Sequence, residues 1–203
     1  MPNWSSGNIR IRGTQENILN FVRNGISYCY YGETAEGKRD TIQTPVDVEF
    51  NDYKDCGELV IHPTIENING WYYINDTRRA FIENIDTEIR SIHFGKCQDN
   101  DNWIIIFDEF KQVWGIRPED FEELSKKYNV DFRIFCWEQG MQFPEELEVV
   151  RGQPTKYFSK QYNDWDWDCP GIAQCHFLEA NYGYSFGVCH SDCFRSHLLV
   201  TSV

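Results

Sequence analysis

The stretch NWSSGNIRIRGTQENILNFVRNGI, Asn3 to Ile26, contains the signals that decide the fold of this chain. Residues 8–12 alternate apolar and polar side chains, which is typical of a strand with one buried face. We predict a helix from about Thr14, a good N-cap, to Asn24, because the glycine that follows is a common helix terminator. The apolar stripe of this helix consists of Ile18, Phe21 and Val22. The chain therefore opens with a strand followed directly by a helix.

A second strand–helix–strand pattern lies between residues 103 and 150. The continuous apolar run Trp103–Phe107 predicts a central strand covered on both faces. Pro118–Tyr128 predicts a helix, because proline suits the first turn, acidic residues follow it and two lysines stand near the other end. Residues 130–143 then alternate apolar with other side chains, and a strand around residues 147–150 completes a hairpin.

The middle of the chain gives weaker signals. Residues 28–58 are polar and rich in Gly, Glu, Asp and Thr, which predicts a loop-heavy insertion. Residues 70–85 predict an aromatic strand, a turn at Asn75-Asp76, and a short helix or strand. The coarse order is therefore strand, helix, an irregular β-rich middle, strand, helix and two strands, with a tail beyond about Gln153.

Several positions at both ends of this pattern resemble a known family. The matching positions are Asn3, Trp4, Trp114, Pro118, Tyr128, Asp131, Glu138, Gly140 and Phe143. They resemble the YubB-type ferredoxin-like proteins of phages, plasmids and other mobile elements, which pair a short Asn-Trp opening with a later Trp-containing αβ unit. The chain departs from that pattern at Ser6-Gly7 and in the long insertion. The resemblance implies a split βαβ sandwich and a mobile-element origin, and it implies no particular reaction.

We therefore predict an α+β fold, a ferredoxin-like split βαβ sandwich over residues 1–153 with an insertion at about 28–70. Its antiparallel sheet would carry both helices on one face. Residues 154–203 would form an extension rich in Cys, His and aromatic residues. We expect this extension to dock on the domain through Trp165, Trp167 and the aromatic stretch 177–186, because it would otherwise expose a large apolar patch.

The net charge of −13 over 203 residues bounds the choice of partners. Such a chain repels phosphates, so we expect no binding of free nucleic acid and favour a partner with a basic surface. The sequence shows no signal peptide and no apolar run of membrane length, so we expect a protein of the bacterial cytoplasm that does not bind membranes. The ordinary alternative is that the charge serves solubility.

The acidic residues are concentrated in one part of the chain. Residues 99–148 contain thirteen acids against five bases, and helix electrostatics explain several of the acids. The stretch YNDWDWDCP alternates aspartate with tryptophan in the tail. We predict that a partner, a host protein or ribonucleoprotein with a basic surface, contacts Glu145, Glu146, Glu148, Asp164, Trp165, Asp166, Trp167 and Asp168. The tryptophans could equally pack the tail on the domain.

The tail also contains a cluster of cysteine and histidine residues. A zinc site would use Cys175, Cys189, Cys193 and His197, because zinc prefers four such ligands in a tetrahedron. The usual Cys-x-x-Cys pair is absent, so buried thiols are the alternative, and we expect no other cofactor. A reducing cytosol favours thiols or metal ligands over disulfides for the eight cysteines.

Three classes of function remain. The first is an accessory protein of a phage or mobile element that inhibits a host defence complex, preferentially a CRISPR-Cas effector nuclease, through an acidic surface. The second is a small enzyme that processes RNA or nucleotides, for example by cutting guide RNA. The third is a mobile-element accessory protein with no defence role. The scattered candidates for acid–base or phosphate chemistry are His62, His93, Arg78, Arg79, Asp108, Glu109 and Glu138, and nothing in their spacing brings them together.

Overall fold

The computed structural model describes residues 3–53, 56–65, 69–82, 89–96, 102–138 and 140–159. Within these residues the chain forms two helices and eleven strands. In chain order they are β1 (Trp4–Gly13), α1 (Gln15–Gly25), β2 (Ile26–Glu33), β3 (Arg39–Tyr53), β4 (Cys56–Pro63), β5 (Gly70–Ile74), β6 (Ala80–Ile82), β7 (Ile89–Lys96), β8 (Trp103–Val113), α2 (Pro118–Tyr128), β9 (Asp131–Glu138), β10 (Phe143–Val150) and β11 (Gln153–Ser159).

All the described strands belong to one antiparallel sheet in the order β11-β10-β9-β1-β8-β6-β5-β2-β3-β4-β7. The predicted ferredoxin-like split βαβ sandwich is therefore wrong. A ferredoxin-like domain uses a small sheet, whereas here most of the described chain is strand and only two short helices are present. The difference lies in the middle of the chain, where β2 and β3 form in residues whose polar and acidic composition predicts loops.

The sheet closes on itself through β8. One edge of β8 pairs with β1, while the other edge is shared: residues 110–112 pair with β6 and residues 103–104 pair with β7. Strand β3 is also divided, since residues 39–45 pair with β2 and residues 46–53 pair with β4. The seven strands from β6 through β5, β2, β3, β4 and β7 to β8 thus form a closed circuit of pairings.

Strand β1 lies at the junction between this circuit and the β9–β10–β11 wing. It pairs along both edges, with β8 and with β9, and Ile9 and Ile11 are fully buried. Gly7 cannot be replaced without a shift of the backbone, because an added Cβ would lie 1.9 Å from the carbonyl oxygen of Phe135. The opening stretch of the sequence is therefore the centre of the fold.

The two faces of the sheet differ. The face that carries Ile9, Ile11 and Phe132, here called the inner face, holds the core. The ring of Phe132 contacts Phe21 of α1 at 5.4 Å and Phe121 of α2 at 5.5 Å between centroids. Both helices therefore cover the inner face, and the opposite, outer face has no helix on it among the described residues.

Both predicted helices are confirmed. Helix α1 begins after Thr14, whose hydroxyl accepts a hydrogen bond from the Asn17 amide, and α2 spans Pro118–Tyr128 as predicted. Gly25 lies at the end of α1, but not because a left-handed glycine terminates the helix. Its backbone is not left-handed; an added Cβ would lie 2.8 Å from the Phe21 ring, so glycine here allows close packing.

Residues 28–58 of the predicted insertion, expected to be mostly loop, contain most of β2, all of β3 and the start of β4, and the short apolar stretch at residues 59–61, which could be read as a strand, lies within β4. The residues of β3 alternate, with Val46 and Val48 buried and Asp47 and Glu49 exposed. This period of two is typical of a half-buried strand. The many acidic residues of the segment are more typical of a loop, so its composition and its alternation give opposite predictions. The run at the start of β8 is a central strand as predicted, but its residues also alternate in burial instead of being covered on both faces.

Strand β11 extends the sheet past the expected domain boundary at residue 153, because residues 153–159 pair with β10. Residues 160–203 lie outside the described residues. The docking of that extension through Trp165, Trp167 and residues 177–186 therefore remains a prediction.

Candidate binding surface

Glu145, the first of the predicted partner-binding glutamates, is directed into the protein. It is 3% exposed and lies on the inner face. Its carboxylate accepts hydrogen bonds from the Ser5 hydroxyl at 2.8 Å and from the Ile116 amide at 3.0 Å. Burial raises the pKa of Glu145 despite these hydrogen bonds. A side chain held in this way cannot meet a partner without a local rearrangement.

Glu146 and Glu148 lie on the opposite, outer face, and both carboxylates interact with side chains of the same sheet. The Glu146 carboxylate is 3.0 Å from the Arg133 guanidinium and 2.6 Å from the Lys156 ammonium. These two cations hold the pKa of Glu146 below its ordinary value, even though burial acts in the opposite direction. Glu148 accepts a hydrogen bond from the Thr155 hydroxyl. The three glutamates therefore do not form one acidic surface.

The other predicted contact residues, Asp164 to Asp168, and the zinc candidates Cys175, Cys189, Cys193 and His197 lie outside the described residues. In the described ranges, no group of three His, Cys, Asp or Glu side chains is arranged to hold a metal ion. Cys29 and Cys136 are buried free thiols, and burial raises the pKa of Cys29 to about 11.

The residues considered for catalysis lie in separate places. His62 on β4 faces Glu49 of β3 at 3.9 Å, whereas Glu138 at the end of β9 accepts hydrogen bonds from the Gly140 and Met141 amides. Arg78 and Arg79 lie in the turn between β5 and β6. The described residues therefore do not bring these side chains into one catalytic group.

The outer face carries instead a connected set of aromatic rings, here called the aromatic track. Tyr31 contacts Trp71 with centroids 5.0 Å apart, and Trp71 contacts Phe81 at 6.2 Å. Phe81 also contacts Tyr73 at 5.5 Å and Trp4 at 5.6 Å. The track thus crosses strands β2, β5, β6 and β1, and Tyr31 at its end is 78% exposed.

The sheet register explains why these rings meet. Phe81 pairs with Tyr73 on one side and with Lys111 on the other, and Lys111 pairs in turn with Ser6. Directly paired residues of antiparallel strands lie on the same face. The neighbouring residues Tyr72, Ala80 and Ile82 are buried on the inner face. Alternation therefore puts aromatic side chains on both faces of this part of the sheet.

Cations lie beside the track. The guanidinium of Arg79 stands over the Trp4 ring, 5.6 Å from its centroid, in the geometry of a cation–π contact. Lys111 of β8 is paired directly with Phe81 of β6 and lies on the same face. Arg10 and Arg12 follow on the same face of β1, where Arg12 forms a 2.7 Å ion pair with Asp131. The outer face near β1 is thus rich in cations, although the whole chain is acidic.

The aromatic track was not found in the sequence, although part of its signal was visible. The stretch GWYYI indicated an aromatic strand. Its connection to Trp4, Tyr31 and Phe81 depends on pairings between strands that are distant along the chain, and those pairings cannot be read from local patterns.

Comparison of the chain with protein-family models, with curated proteins and with solved structures found no match. The resemblance to the YubB-type proteins and the mobile-element origin therefore remain predictions from the residues quoted above. None of the helices in the described part of the chain is long and apolar enough to cross a membrane.

Proposed function

We propose that this protein acts by binding a macromolecular partner, and that the aromatic track is its binding surface. The observation that carries the proposal is the chain of ring contacts from Tyr31 to Trp4 on a sheet face that carries neither helix. Tyr31 is 78% exposed, and Trp4, Trp71, Tyr73 and Phe81 are half-buried. Aromatic side chains at a surface supply much of the binding energy of protein interfaces, because they remove large apolar areas from water at a small cost in conformational entropy.

A narrower proposal concerns the partner. If the mobile-element resemblance holds, the partner is a host ribonucleoprotein, and inhibition of a CRISPR-Cas effector nuclease is the favoured outcome. We do not propose that an acidic surface around Glu145 and Glu146 makes the contact, because Glu145 is buried and Glu146 is paired with two cations. The contact is assigned here to the aromatic track instead.

The experiment uses the tagged full-length protein to capture its partner from the native host. Tyr31→Ala removes the most exposed ring of the track, and Tyr157→Ala removes another exposed ring, 51% exposed on β11, as the matched control. We expect Tyr31→Ala to reduce the captured amount strongly and Tyr157→Ala to leave it unchanged. Equal capture by both variants would contradict the assignment of the surface. If guide RNA is recovered cut from the captured complex, the protein is an RNA-processing enzyme and does not act by binding alone.

A further inference from the structure

We infer that the aromatic track binds a single-stranded nucleic acid, with bases stacked on its rings and phosphates beside its cations. This inference rests on the proposed function, since it names the chemistry of the ligand at the same surface.

The rings follow one another across the sheet, tilted or edge-on to their neighbours, and Tyr31 is the exposed ring on which a base can stack. Tyr31, Trp71, Phe81 and Trp4 contact one another with centroid distances of 5.0, 6.2 and 5.6 Å, on four different strands. Every base has a flat π face, so sheet surfaces with several aromatic side chains bind single strands with little dependence on sequence. In a duplex the bases already stack on each other, and such a surface therefore favours single strands.

The cations beside the rings fit a phosphate backbone. Arg79 stands over Trp4, and Lys111 lies next to Phe81 in the same cross-strand row. Arg10 and Arg12 extend this group along β1 on the same face. Arg12 is already paired with Asp131. A neutral glycan would use the rings but would gain nothing from Arg79, Lys111 and Arg10, so the combination favours an anionic ligand with flat groups.

This inference departs from the expectation, drawn from the total charge of −13, that the chain binds no free nucleic acid. Charges in water are screened over roughly 8 Å at physiological ionic strength, so a phosphate on the track responds mainly to the side chains near it. Acids near this group have cationic partners of their own: Asp131 pairs with Arg12, and Glu146 pairs with Arg133 and Lys156. Asp108 of β8 lies close enough to Arg10 to act on its charge, so the side chains around the track include both signs, with the cations Arg79, Lys111 and Arg10 beside the rings.

The test measures fluorescence anisotropy of labelled oligouridylate and oligothymidylate with the full-length protein, over a series of salt concentrations. Tyr31→Ala should weaken binding roughly 5- to 150-fold, the range for loss of one stacked base. Tyr31→Phe should retain binding, because the ring remains. Arg79→Ala should reduce the slope of log affinity against log salt by about 0.7, the value for one phosphate contact on a single strand. Tyr157→Ala is the control and should match the parent protein.

Three results would overturn the inference: no binding of either oligonucleotide at low salt, equal binding by Tyr31→Ala and the parent, or preference for a duplex of the same length. In each case the capture experiment decides the proposed function separately. If capture still depends on Tyr31 although neither oligonucleotide binds, the track binds a protein surface. If capture depends on Tyr31 and a duplex is preferred, the ligand is double-stranded. If capture also ignores Tyr31, the proposed binding surface itself is wrong.

Discussion

At the scale of single residues, two neighbours on β10 show how the sheet controls charge. Glu145 lies on the inner face, where burial raises its pKa, and Glu146 lies on the outer face, where Lys156 and Arg133 lower its pKa. Successive residues of a strand point to opposite faces, so adjacent glutamates meet opposite environments. The strand could be predicted from the sequence. Which of the two glutamates is buried on the inner face could not, because no local pattern distinguishes them.

The pKa of Glu145 leads to a prediction about pH. Between its ordinary value of 4.5 and its raised folded value, the folded protein binds more protons than the unfolded chain. The contribution of Glu145 to the free energy of unfolding therefore falls as pH rises through this window. Glu145→Gln removes this loss, so the variant should gain stability relative to the parent as pH rises from acid to neutral. Denaturant unfolding over a pH series measures the difference.

Glu146→Gln is the matched control for that measurement. Its carboxylate has a lowered pKa, so its contribution is present above the ordinary value and is lost as pH falls through the folded pKa. The Glu146→Gln variant should therefore lose stability relative to the parent as pH rises. If both variants differ from the parent by amounts that do not change with pH, the assigned environments of the two carboxylates are wrong.

At the scale of elements, α2 is attached to the sheet by a buried polar side chain. Gln112 of β8 is fully buried; its amide donates to Asp120 at 3.0 Å and its oxygen accepts from the Arg117 amide at 3.2 Å. Asp120 also accepts from the Arg78 amide at 2.8 Å. These hydrogen bonds join the start of α2 to β8 and to the turn before β6.

Replacing Gln112 by Met introduces an apolar side chain of similar size and leaves the Arg117 amide without its acceptor. We expect a loss of about 1–3 kcal/mol in the free energy of unfolding, the usual effect of one unsatisfied buried group. The control is Lys127→Met on α2, which removes an exposed ion pair with Asp76 and should have little effect, because water screens such pairs. Equal effects in a denaturant titration would show that Gln112 does not hold the helix.

The elements also show which parts of the fold were predictable. Both helices and the strands beside them carry strong local signals, namely caps, apolar stripes and alternation, and these were read correctly. Strand β3 alternates Val46 and Val48 with acids, and its high content of charged residues predicts a loop although the alternation fits a strand. Its pairing with two different neighbours, β2 and β4, has no local signal at all.

At the scale of the whole molecule, the pairing of strands distant in the sequence decides both the fold and the binding surface. β1 pairs with β8 and β9, which begin about a hundred residues or more after it. β8 then closes the circuit by pairing with both β6 and β7. The ferredoxin-like prediction failed because it assigned the topology by analogy, and strand order is set by these long-range pairings.

Strands that are distant along the chain bring the aromatic track together on one face of the sheet, and this arrangement can be tested in solution. Nuclear Overhauser effects between aromatic ring protons of the full-length protein test it most directly. We predict cross-peaks between Trp4 and Phe81, whose centroids are 5.6 Å apart, and between Tyr31 and Trp71, at 5.0 Å. Trp4→Phe and Tyr31→Phe variants assign the peaks. Cross-peaks from Phe21 to Phe132 without those of the track would show that the core is correct and that the binding surface does not exist.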